Sequence, residues 1–366
     1  MKRILFIAAH RPDRSPSQRF RFEQYIEFLE KNGYHCKESC IINERDEKHF
    51  YNPGSFPFKA YIFLRSFAKR LFEFIRYYNY DIIFVHREAF MTGTTIFERL
   101  YKRTKAKLIF DFDDSIWIHN VSDANKKLSW LKSPEKTGKI IEMADLIFAG
   151  NQYLADYAKK FNSAVVIIPT TIDTNEYKNL NLNNHQAVCI GWSGSMTTIK
   201  HFEYAIPFLI EIKRKYGNRV YFKVIGDSGY KNEELGIKGI GWKKEEEIKE
   251  LSTFDIGIMP LPHDEWAKGK CGLKGLQYMA LEIPTIMSPV GVNVEIIKDG
   301  TNGFLAETTE DWINKLSSLI ESEELRKQIG KSGRKTVEEN YSVTSQEKNY
   351  LKYFNEIIEN GKSRKS

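Results

Sequence analysis

The amino-acid sequence predicts an α/β protein made of two Rossmann-like domains. Three observations support this prediction: the length of 366 residues, the alternation of β-rich apolar runs with helical periodicity, and a polar interruption near the middle. Because one hydrophobic core usually stops growing below this length, we expect two domains of roughly 180 residues each. Strands that alternate with helices are typical of a parallel sheet covered by helices.

The first half opens with a predicted strand over residues 4–8. Apolar residues then recur at helical spacing from Phe22 to Leu29, and the pattern ends at Gly33, a residue type that terminates helices well. Asn151 is placed to cap a helix that runs toward Lys160. The other strands predicted in this half are 81–85, 107–110, 145–149 and 165–168.

A polar, Asn-rich segment at 173–186 has no apolar period, which predicts a linker between domains. The strands predicted beyond it are 188–192, 220–225, 256–260 and 284–287. We therefore predict an N-terminal acceptor domain at 1–180 and a C-terminal nucleotide-sugar domain at 181–345. The remaining residues, 346–366, are expected to form a helix and a basic tail that pack back toward the N-terminal domain.

The composition excludes several classes of protein. The formal net charge of +7 is modest for this length; it favours acidic ligands or anionic surfaces, and we expect no nucleic-acid partner. The four cysteines are too scattered for a disulfide scaffold or a paired metal-ligand motif, which predicts a reducing cytoplasm. No run reaches the roughly 18 apolar residues of a membrane-spanning helix, so we expect any membrane contact to be peripheral.

Ligands of open α/β sheets collect beyond the carboxyl ends of the strands, where helix N-termini attract phosphates. Three loops of the second half fit such a site. The first joins a strand to a helix through small residues and carries a lysine; its predicted ligand-binding residues are Gly191, Ser193, Gly194, Ser195 and Lys200. A glycine-rich loop alone is weak evidence, since an ordinary strand-to-helix turn explains it equally well.

The second loop places lysines around the start of a predicted helix. Lysines there oppose the helix dipole and cost stability unless an anion binds, although a solvated lysine cluster is the alternative. The predicted binding residues of this loop are Lys270, Cys271, Gly272, Leu273 and Lys274. The third loop contributes Gly291, and Glu295 is expected to reach back toward the same site.

The run from Gly275 to Ile286 resembles the donor-site signature of family 4 retaining glycosyltransferases, which have the GT-B fold. The resemblance extends to 290–291, 295–300, 302–305 and the 191–200 loop, and so covers nearly the whole chain. It implies two domains facing each other across a cleft, with a nucleotide diphosphate-sugar as donor and a glycan or lipid-linked acceptor. It also implies retention, a metal-independent reaction, no separate cofactor and no protein nucleophile.

The sequence departs from this family at three positions. Gln277 stands where a glutamate binds the ribose hydroxyls, and an amide can still bond a diol without the strength of a charge. Gly269 replaces the other glutamate of the pair. Lys200 matches the lysine on the diphosphate, but Ser193 and Gly194 stand where an arginine is expected, so we predict that Lys270 or Lys274 supplies the missing charge.

The resemblance places the strand ending at His86 on the acceptor side, and the strand leading to Asp113 near the donor sugar. Carboxylates after a buried strand are costly unless they meet hydroxyls, cations or solvent. A magnesium site and a structural role, with the aspartates capping a helix and pairing with Arg87, are the alternatives. The catalytic residues predicted are Asp113, Asp114, His86, Lys200 and Lys274; those predicted for the acceptor are Arg19, Arg21, His86 and Arg87.

The segment 61–78 mixes phenylalanines with arginines and lysines, as a helix at an anionic membrane surface does. Packing of its aromatic residues against the protein's own sheet is the alternative, and it is favoured because aromatic helices in large domains are usually buried.

Two other functions stay open. A nucleotide-sugar epimerase has the same architecture, and a non-catalytic sugar-binding relic would explain Gly269 and Gln277. A nicotinamide-dependent oxidoreductase fits less well, since neither half has Gly-x-Gly-x-x-Gly directly after its first strand.

Overall fold

The computed structural model describes residues 1–50, 54–76, 79–118, 133–180, 182 and 186–363. The chain divides into two units, Met1–Pro169 with Gln346–Ser366, and Thr170–Ser345. The division falls before the expected boundary near residue 180, because Arg334 of the second unit donates hydrogen bonds to the carbonyls of Thr174 and Tyr177. Residues 181 and 183–185 of the predicted linker and 364–366 of the predicted tail lie outside the described residues.

The first unit contains a parallel sheet with strand order β2-β1-β3-β4-β5-β6. Its strands are β1 (Lys2–His10), β2 (Tyr34–Ile42), β3 (Ile82–His86), β4 (Lys107–Phe112), β5 (Leu146–Ala149) and β6 (Val165–Ile167). The chain leaves β1 toward β2 on one side and continues with β3 on the other. This reversal creates a crevice at the carboxyl ends of β1 and β3, the usual ligand position in such sheets.

Helices cover this sheet. They are α1 (Pro16–Arg19), α2 (Ile26–Lys31), α3 (Glu44–Phe50), α4 (Phe56–Arg76), α5 (Ile96–Lys102), α6 (Glu135–Met143) and α7 (Gln152–Lys159). Asn151 caps α7 as predicted, its side-chain oxygen accepting from the amide of Leu154. The last helix of the chain also packs here, since Tyr350 stacks on Tyr25 with ring centroids 3.9 Å apart and Phe354 packs against Phe84.

The second unit contains a parallel sheet with strand order β13-β12-β11-β7-β8 and a short antiparallel hairpin. Its strands are β7 (Val188–Ser193), β8 (Val220–Ile225), β9 (Lys231–Asn232), β10 (Ile237–Lys238), β11 (Ile256–Met259), β12 (Thr285–Met287) and β13 (Phe304–Leu305). The chain reverses direction across the sheet at β7, so the second crevice lies at the carboxyl ends of β7 and β11.

The helices from residue 199 onward are α8 (Ile199–Phe202), α9 (Ile206–Tyr216), α10 (Lys244–Leu251), α11 (Glu265–Lys268), α12 (Leu273–Ala280), α13 (Asn293–Ile296), α14 (Thr309–Glu321), α15 (Glu323–Thr336) and α16 (Val343–Ser363). The core of this unit lies between the sheet and α9 and α14, where Phe208 stacks on Trp312 at 4.6 Å.

Every predicted strand is confirmed, but four short or edge strands were not predicted. β2 is a sheet edge whose run of His, Cys, Lys, Glu and Ser hides the apolar alternation. β9, β10 and β13 have two residues each, too few for a period to be read.

Candidate functional site

The three loops of the second unit come together at the carboxyl edge of its sheet. The first and second meet where the amide of Ser193 donates to the Tyr278 hydroxyl of α12 at 2.7 Å. The second and third meet at Gly291, where a Cβ atom would lie 2.5 Å from the carbonyl oxygen of Lys268. Gly291 has φ of +55°, a left-handed conformation that favours glycine, so this contact depends on that residue type.

The first loop is ordered by its own hydroxyl groups. The amide of Ser195 donates to Thr198 Oγ1 at 2.9 Å, while Ser193 is buried and Ser195 is exposed. A Cβ atom on Gly194 would lie 2.2 Å from the ring of Trp192, which is buried beneath the loop. A Cβ atom on Gly191 would enter the ring of Phe254, so this glycine serves packing rather than ligand contact.

Lysines from the first and second loops surround His201 of α8. Burial, together with the charges of Lys274, Lys270 and Lys200, lowers the pKa of His201 to about 3, and Asp264 opposes this shift. His201 is 3% exposed, and its Nδ1 atom has no hydrogen-bond partner among the described residues. The ammonium groups of Lys274 and Lys270 also lie over the rings of Trp192 and Trp266, at 5.5 and 4.9 Å. The arrangement concentrates positive charge beside an unsatisfied buried nitrogen.

Other predicted residues of this edge take different positions. Leu273 begins α12, next to Gly272, whose φ of +70° is left-handed. Cys271 is buried and directs its sulfur toward the carbonyl of Gly269, whereas Glu295 is exposed on α13.

Gln277 is part of a buried network. Its amide nitrogen donates to the Tyr177 hydroxyl at 3.0 Å, and that hydroxyl donates to Glu247 Oε2 at 2.6 Å. The ring nitrogen of Trp242 donates to the other carboxylate oxygen of Glu247. The expected bond of Gln277 to a ribose diol therefore competes with an internal role for the same amide.

The first unit has its own polar cluster at the crevice between β1 and β3. His86 is the last residue of β3 and pairs in register with Asp111 of β4. Its Nδ1 atom lies 2.6 Å from Asp111 Oδ2, and its Nε2 atom lies 2.7 Å from the hydroxyl of Ser17 on α1. Asp111 is fully buried and holds an ion pair with Arg21.

Asp113 follows β4 and accepts from two directions. Arg87 donates to its Oδ1 atom at 2.8 Å, and the Ser17 hydroxyl lies 2.9 Å from the same oxygen. Burial opposes ionisation of Asp113, but Arg87, His86 and Arg21 outweigh it and hold the pKa of this carboxyl below its usual range. Asp113 is therefore a carboxylate at neutral pH. The structural alternative for Arg87 is realised here, since it pairs with Asp113 and lies 3.8 Å from Asp114.

The prediction that Arg21 binds the acceptor is wrong. The side chain is fully buried, and its guanidinium is bonded to Asp111 and to the carbonyl of Ile168. A buried carboxylate needs a paired cation, and this requirement explains the arginine. Arg19 is also buried, with its guanidinium 4.7 Å from the centre of the Phe20 ring. Its role toward an acceptor stays a prediction.

Sequence reasoning missed Ser17, His201 and Tyr177. The partners of Ser17 lie 69 and 96 residues away, and those of Tyr177 lie 70 and 100 residues away. For His201 a signal existed, because it directly follows Lys200 in the loop already selected.

Part of the second unit matches a known family model. Residues 187–322 match the family model described as glycosyl transferases group 1. This region is similar to group 1 glycosyltransferase domains, and the match covers residues 187–322 of the 366-residue chain. It contains all three loops of the lysine-bearing edge, so the resemblance inferred from the sequence is confirmed there. Membership of family 4 and retention stay predictions.

An uncharacterized glycosyltransferase of Methanocaldococcus jannaschii is 32% identical over 124 residues, which are 31% of this chain. The matched part spans about a third of that relative's length, 34%. A glycosyltransferase from Rickettsia africae has a similar structure, with 18% identity, a TM-score of 0.69 and coverage of 98% of this chain and 99% of that one. The structure of Anabaena HepE in complex with UDP-glucose is also similar, with 12% identity, a TM-score of 0.66 and coverage of 97% of this chain and 100% of that one. These neighbours confirm the GT-B fold class of the two Rossmann-like units.

Among the residues that the structure describes, no helix has both the length and the apolar character required to cross a bilayer.

Proposed function

We propose that this chain is a glycosyltransferase that moves a sugar from a nucleotide diphosphate-sugar to a glycan or lipid-linked acceptor. The second unit binds the donor and the first unit binds the acceptor hydroxyl. The reaction is a hexosyl transfer with retention, it serves cell-surface polysaccharide or glycoconjugate synthesis, and it takes place at the cytoplasmic side of the membrane.

One observation carries this proposal: Lys200, Lys270 and Lys274 converge at the sheet edge of the region that matches group 1 glycosyltransferases. Cations near one point repel each other, and a bound anion would offset that repulsion. A leaving diphosphate carries the opposite charge, and fixed cations stabilise it without reorganisation during the reaction. The lysines thereby do the neutralising work that a metal ion does elsewhere. HepE is solved with UDP-glucose, which makes UDP the first ligand to test.

Calorimetric titration of the full chain with UDP, GDP and pyrophosphate tests this proposal. We expect one nucleoside diphosphate to bind, and Lys270→Ala with Lys274→Ala to weaken it at least about 100-fold, since charge-assisted contacts contribute roughly 1.5–3 kcal/mol each. Lys268→Ala is the matched control: it lies in the same loop, and its ammonium pairs with Glu265 at 2.5 Å. Absence of binding by the wild-type chain would refute the proposal.

The competing functions give different products. Incubation of the protein with a UDP-sugar and no acceptor yields an epimer if it is an isomerase, whereas a transferase releases nucleotide when acceptor is added. A relic binds UDP and does neither. Chelation by EDTA is expected to leave transfer unchanged; loss of transfer that added magnesium restores would overturn metal independence.

We also propose that α4 binds an anionic membrane surface, the place where a lipid-linked acceptor resides. The helix is inverted relative to an ordinary surface helix. Its buried side carries Ser66, Arg70 and Glu73, and Arg70 donates to the carbonyls of Ala8 and Ala89. Its exposed apolar residues are Phe56, Phe58, Tyr61, Leu64, Leu71, Phe72 and Ile75. The expectation that its aromatic residues pack against the protein is confirmed for Phe63 and Phe67, which contact Phe90 and Phe97, and is wrong for the exposed Tyr61 and Phe72.

A bilayer fits this face because it covers the exposed apolar side chains. We expect the protein to sediment with vesicles of phosphatidylglycerol and phosphatidylcholine at low salt, and Phe72→Ser with Ile75→Ser to reduce the bound fraction at least fivefold. Ile96→Ser, a change at an exposed apolar residue on α5, is the control. Equal sedimentation of all three proteins would exclude α4 as the contact.

A further inference from the structure

Three side chains of the first unit form a continuous hydrogen-bonded chain from the protein interior toward its surface. Asp111 Oδ2 lies 2.6 Å from His86 Nδ1, and His86 Nε2 lies 2.7 Å from Ser17 Oγ. Asp111 and His86 are buried, whereas Ser17 is half-buried. Carboxylate, imidazole and hydroxyl in this order are the groups that make a hydroxyl nucleophilic or basic.

The carboxylate at the inner end is held in its ionised form. Burial alone would raise the pKa of Asp111, but Arg21 and His86 outweigh burial and lower it. An ionised Asp111 accepts the Nδ1 proton of His86, so the Nε2 atom is the one that faces the Ser17 hydroxyl. That atom faces Ser17 Oγ and no open solvent, because His86 is 3% exposed.

The serine hydroxyl has one proton and two acceptors. With neutral His86, Ser17 donates to Nε2, and Arg87 satisfies Asp113. With doubly protonated His86, Nε2 donates to Ser17 Oγ, and Ser17 turns its proton to Asp113 Oδ1, 2.9 Å away. The cluster thus provides a complete set of hydrogen bonds both before and after His86 accepts a proton.

We propose that Ser17 is a catalytic residue, the substrate-facing end of a proton relay through His86 to Asp111, and that its ligand is an alcohol. This inference rests on the proposed function, in which the alcohol is the acceptor. The acceptor O–H bond breaks and its proton joins Ser17 Oγ, while the proton of Ser17 moves to His86 Nε2. The acceptor oxygen forms its bond to the sugar carbon as the bond from that carbon to the diphosphate breaks. Afterwards the proton leaves His86 through Ser17 to solvent, and the diphosphate keeps the electron pair of the broken bond.

His86 and Asp111 are positioning residues in this scheme, since neither reaches the substrate. An acceptor can contact His86 Nε2 only if it displaces the Ser17 hydroxyl, which already occupies that site at 2.7 Å. The relay therefore requires a hydroxyl at position 17, which Ser17→Thr would preserve and Ser17→Ala would remove.

A serine-directed fluorophosphonate tests activation of Ser17 in the full chain without a known substrate. Ser17 Oγ would form a bond to phosphorus, fluoride would leave, and the hydroxyl proton would pass to His86. We expect an adduct on Ser17, found by peptide mass spectrometry, at a rate at least tenfold above that of Ser15. His86→Gln should reduce the rate at least tenfold.

Ser15 is the matched control, because it lies two residues away and its side chain does not cap α1. Absence of an adduct, or an unchanged rate in His86→Gln, would overturn the relay. UDP binding measured on the same protein separates the two ideas: labelling without UDP binding refutes the proposed function alone, and UDP binding without labelling refutes the relay alone. Where transfer is measured, Ser17→Ala should lower kcat at least 100-fold and Ser17→Thr should restore most of it.

Discussion

His201 shows how a single buried side chain links the proposed donor site to stability. Its pKa falls from 6.5 to about 3 on folding, so the unfolded chain binds more protons than the folded chain between these values. The free energy of unfolding should therefore decrease as the pH falls below about 6.5, by about 3 kcal/mol at pH 4.5 from this group. Urea unfolding at pH 7.5 and 4.5, followed by tryptophan fluorescence, measures this difference.

His201→Gln should remove that part of the pH dependence and leave the value at pH 7.5 within about 1 kcal/mol. Trp117 lies in the first unit and Trp192, Trp242, Trp266 and Trp312 lie in the second, so the fluorescence follows both units. His10→Gln is the control, because burial lowers the pKa of His10 to about 4 in the first unit and its replacement should leave the contribution of His201 in place. An unchanged acid sensitivity in His201→Gln would show that folding does not lower the pKa of this histidine.

Gln277 illustrates a departure from the family pattern that the structure explains. Tyr177 has one proton, which it donates to Glu247, so it must accept from the residue at position 277. A glutamate there cannot donate, and it would add a second carboxylate to a buried network. We expect Gln277→Glu to destabilise the protein by about 1–3 kcal/mol in urea unfolding at pH 7.5.

In the double variant Gln277→Glu with Glu247→Gln, we expect at least half of the lost free energy of unfolding to be recovered, because Tyr177 can then donate its proton to the glutamate at position 277. A double variant as unstable as the sum of the single changes would contradict the shared proton. The sequence identified Gln277 as a departure, but its reason lies 100 residues away in Tyr177 and could not be read locally.

Part of the site could be predicted from the sequence. Which part depends on how far apart the contacting residues lie in the chain. The positions of residues joined by one strand-loop-helix unit, such as Gly194 and Lys200, could be predicted because the fold class alone fixes where such loops lie. The role of Arg21 was misassigned, since an arginine near a crevice has the same sequence pattern whether it meets a ligand or a buried Asp111. Ser17 was missed because hydroxyl residues are common in loops and its partners belong to β3 and the segment after β4.

At the level of elements, the contact between the second and third loops determines the shape of the donor edge. Gly291→Ala would place a Cβ atom 2.5 Å from the Lys268 carbonyl in a left-handed conformation. We expect a loss of at least about 2 kcal/mol in stability, since neither strain can relax without moving a loop. UDP affinity should fall with it, at least tenfold by calorimetry.

Gly300→Ala separates the effect of the left-handed backbone conformation from the effect of the contact between the two loops. Its φ of +74° is also left-handed, but no atom of the part of the chain that the structure describes lies within 4 Å of the position of its Cβ. This variant should lose about 1 kcal/mol and retain UDP affinity. Equal effects of the two variants would mean that backbone conformation, and not the contact between the loops, matters at Gly291.

In helix α4, the apolar periodicity of the sequence does not predict which residues are buried. The sequence predicts an amphipathic helix correctly, but the apolar stripe faces outward because Arg70 and Glu73 satisfy buried carbonyl and hydroxyl groups on the other side. Sequence periodicity shows that a helix has two faces; the partner of each face is decided by elements distant in sequence, here β1 and β2. The two-residue strands escaped prediction for a different reason, since their pairing comes from the sheet and not from any local pattern.

On the scale of the whole molecule, the first core is built from two segments that are distant in the chain. The chain builds most of the first unit, then the second, and returns to the first with the end of α16. Tyr350 lies in the first core: it is fully buried, stacks on Tyr25 and donates to the carbonyl of Arg21, a residue that itself holds Asp111. Completion of the first core, and of the Ser17 relay above it, therefore depends on the last residues of the chain.

Tyr350→Ala should consequently destabilise the first unit by about 3–5 kcal/mol, the usual cost of deleting a buried aromatic side chain, and leave the second core intact. Limited proteolysis should cleave peptides from the first unit sooner than in the wild type, while UDP binding stays within twofold. Tyr353→Ala provides a control on the same helix, because that ring packs against Phe148 at 5.9 Å but is only half-buried. If cleavage in Tyr350→Ala spread equally over both units, or UDP binding were lost, the two cores would be folding as one and the independence of the units would be refuted.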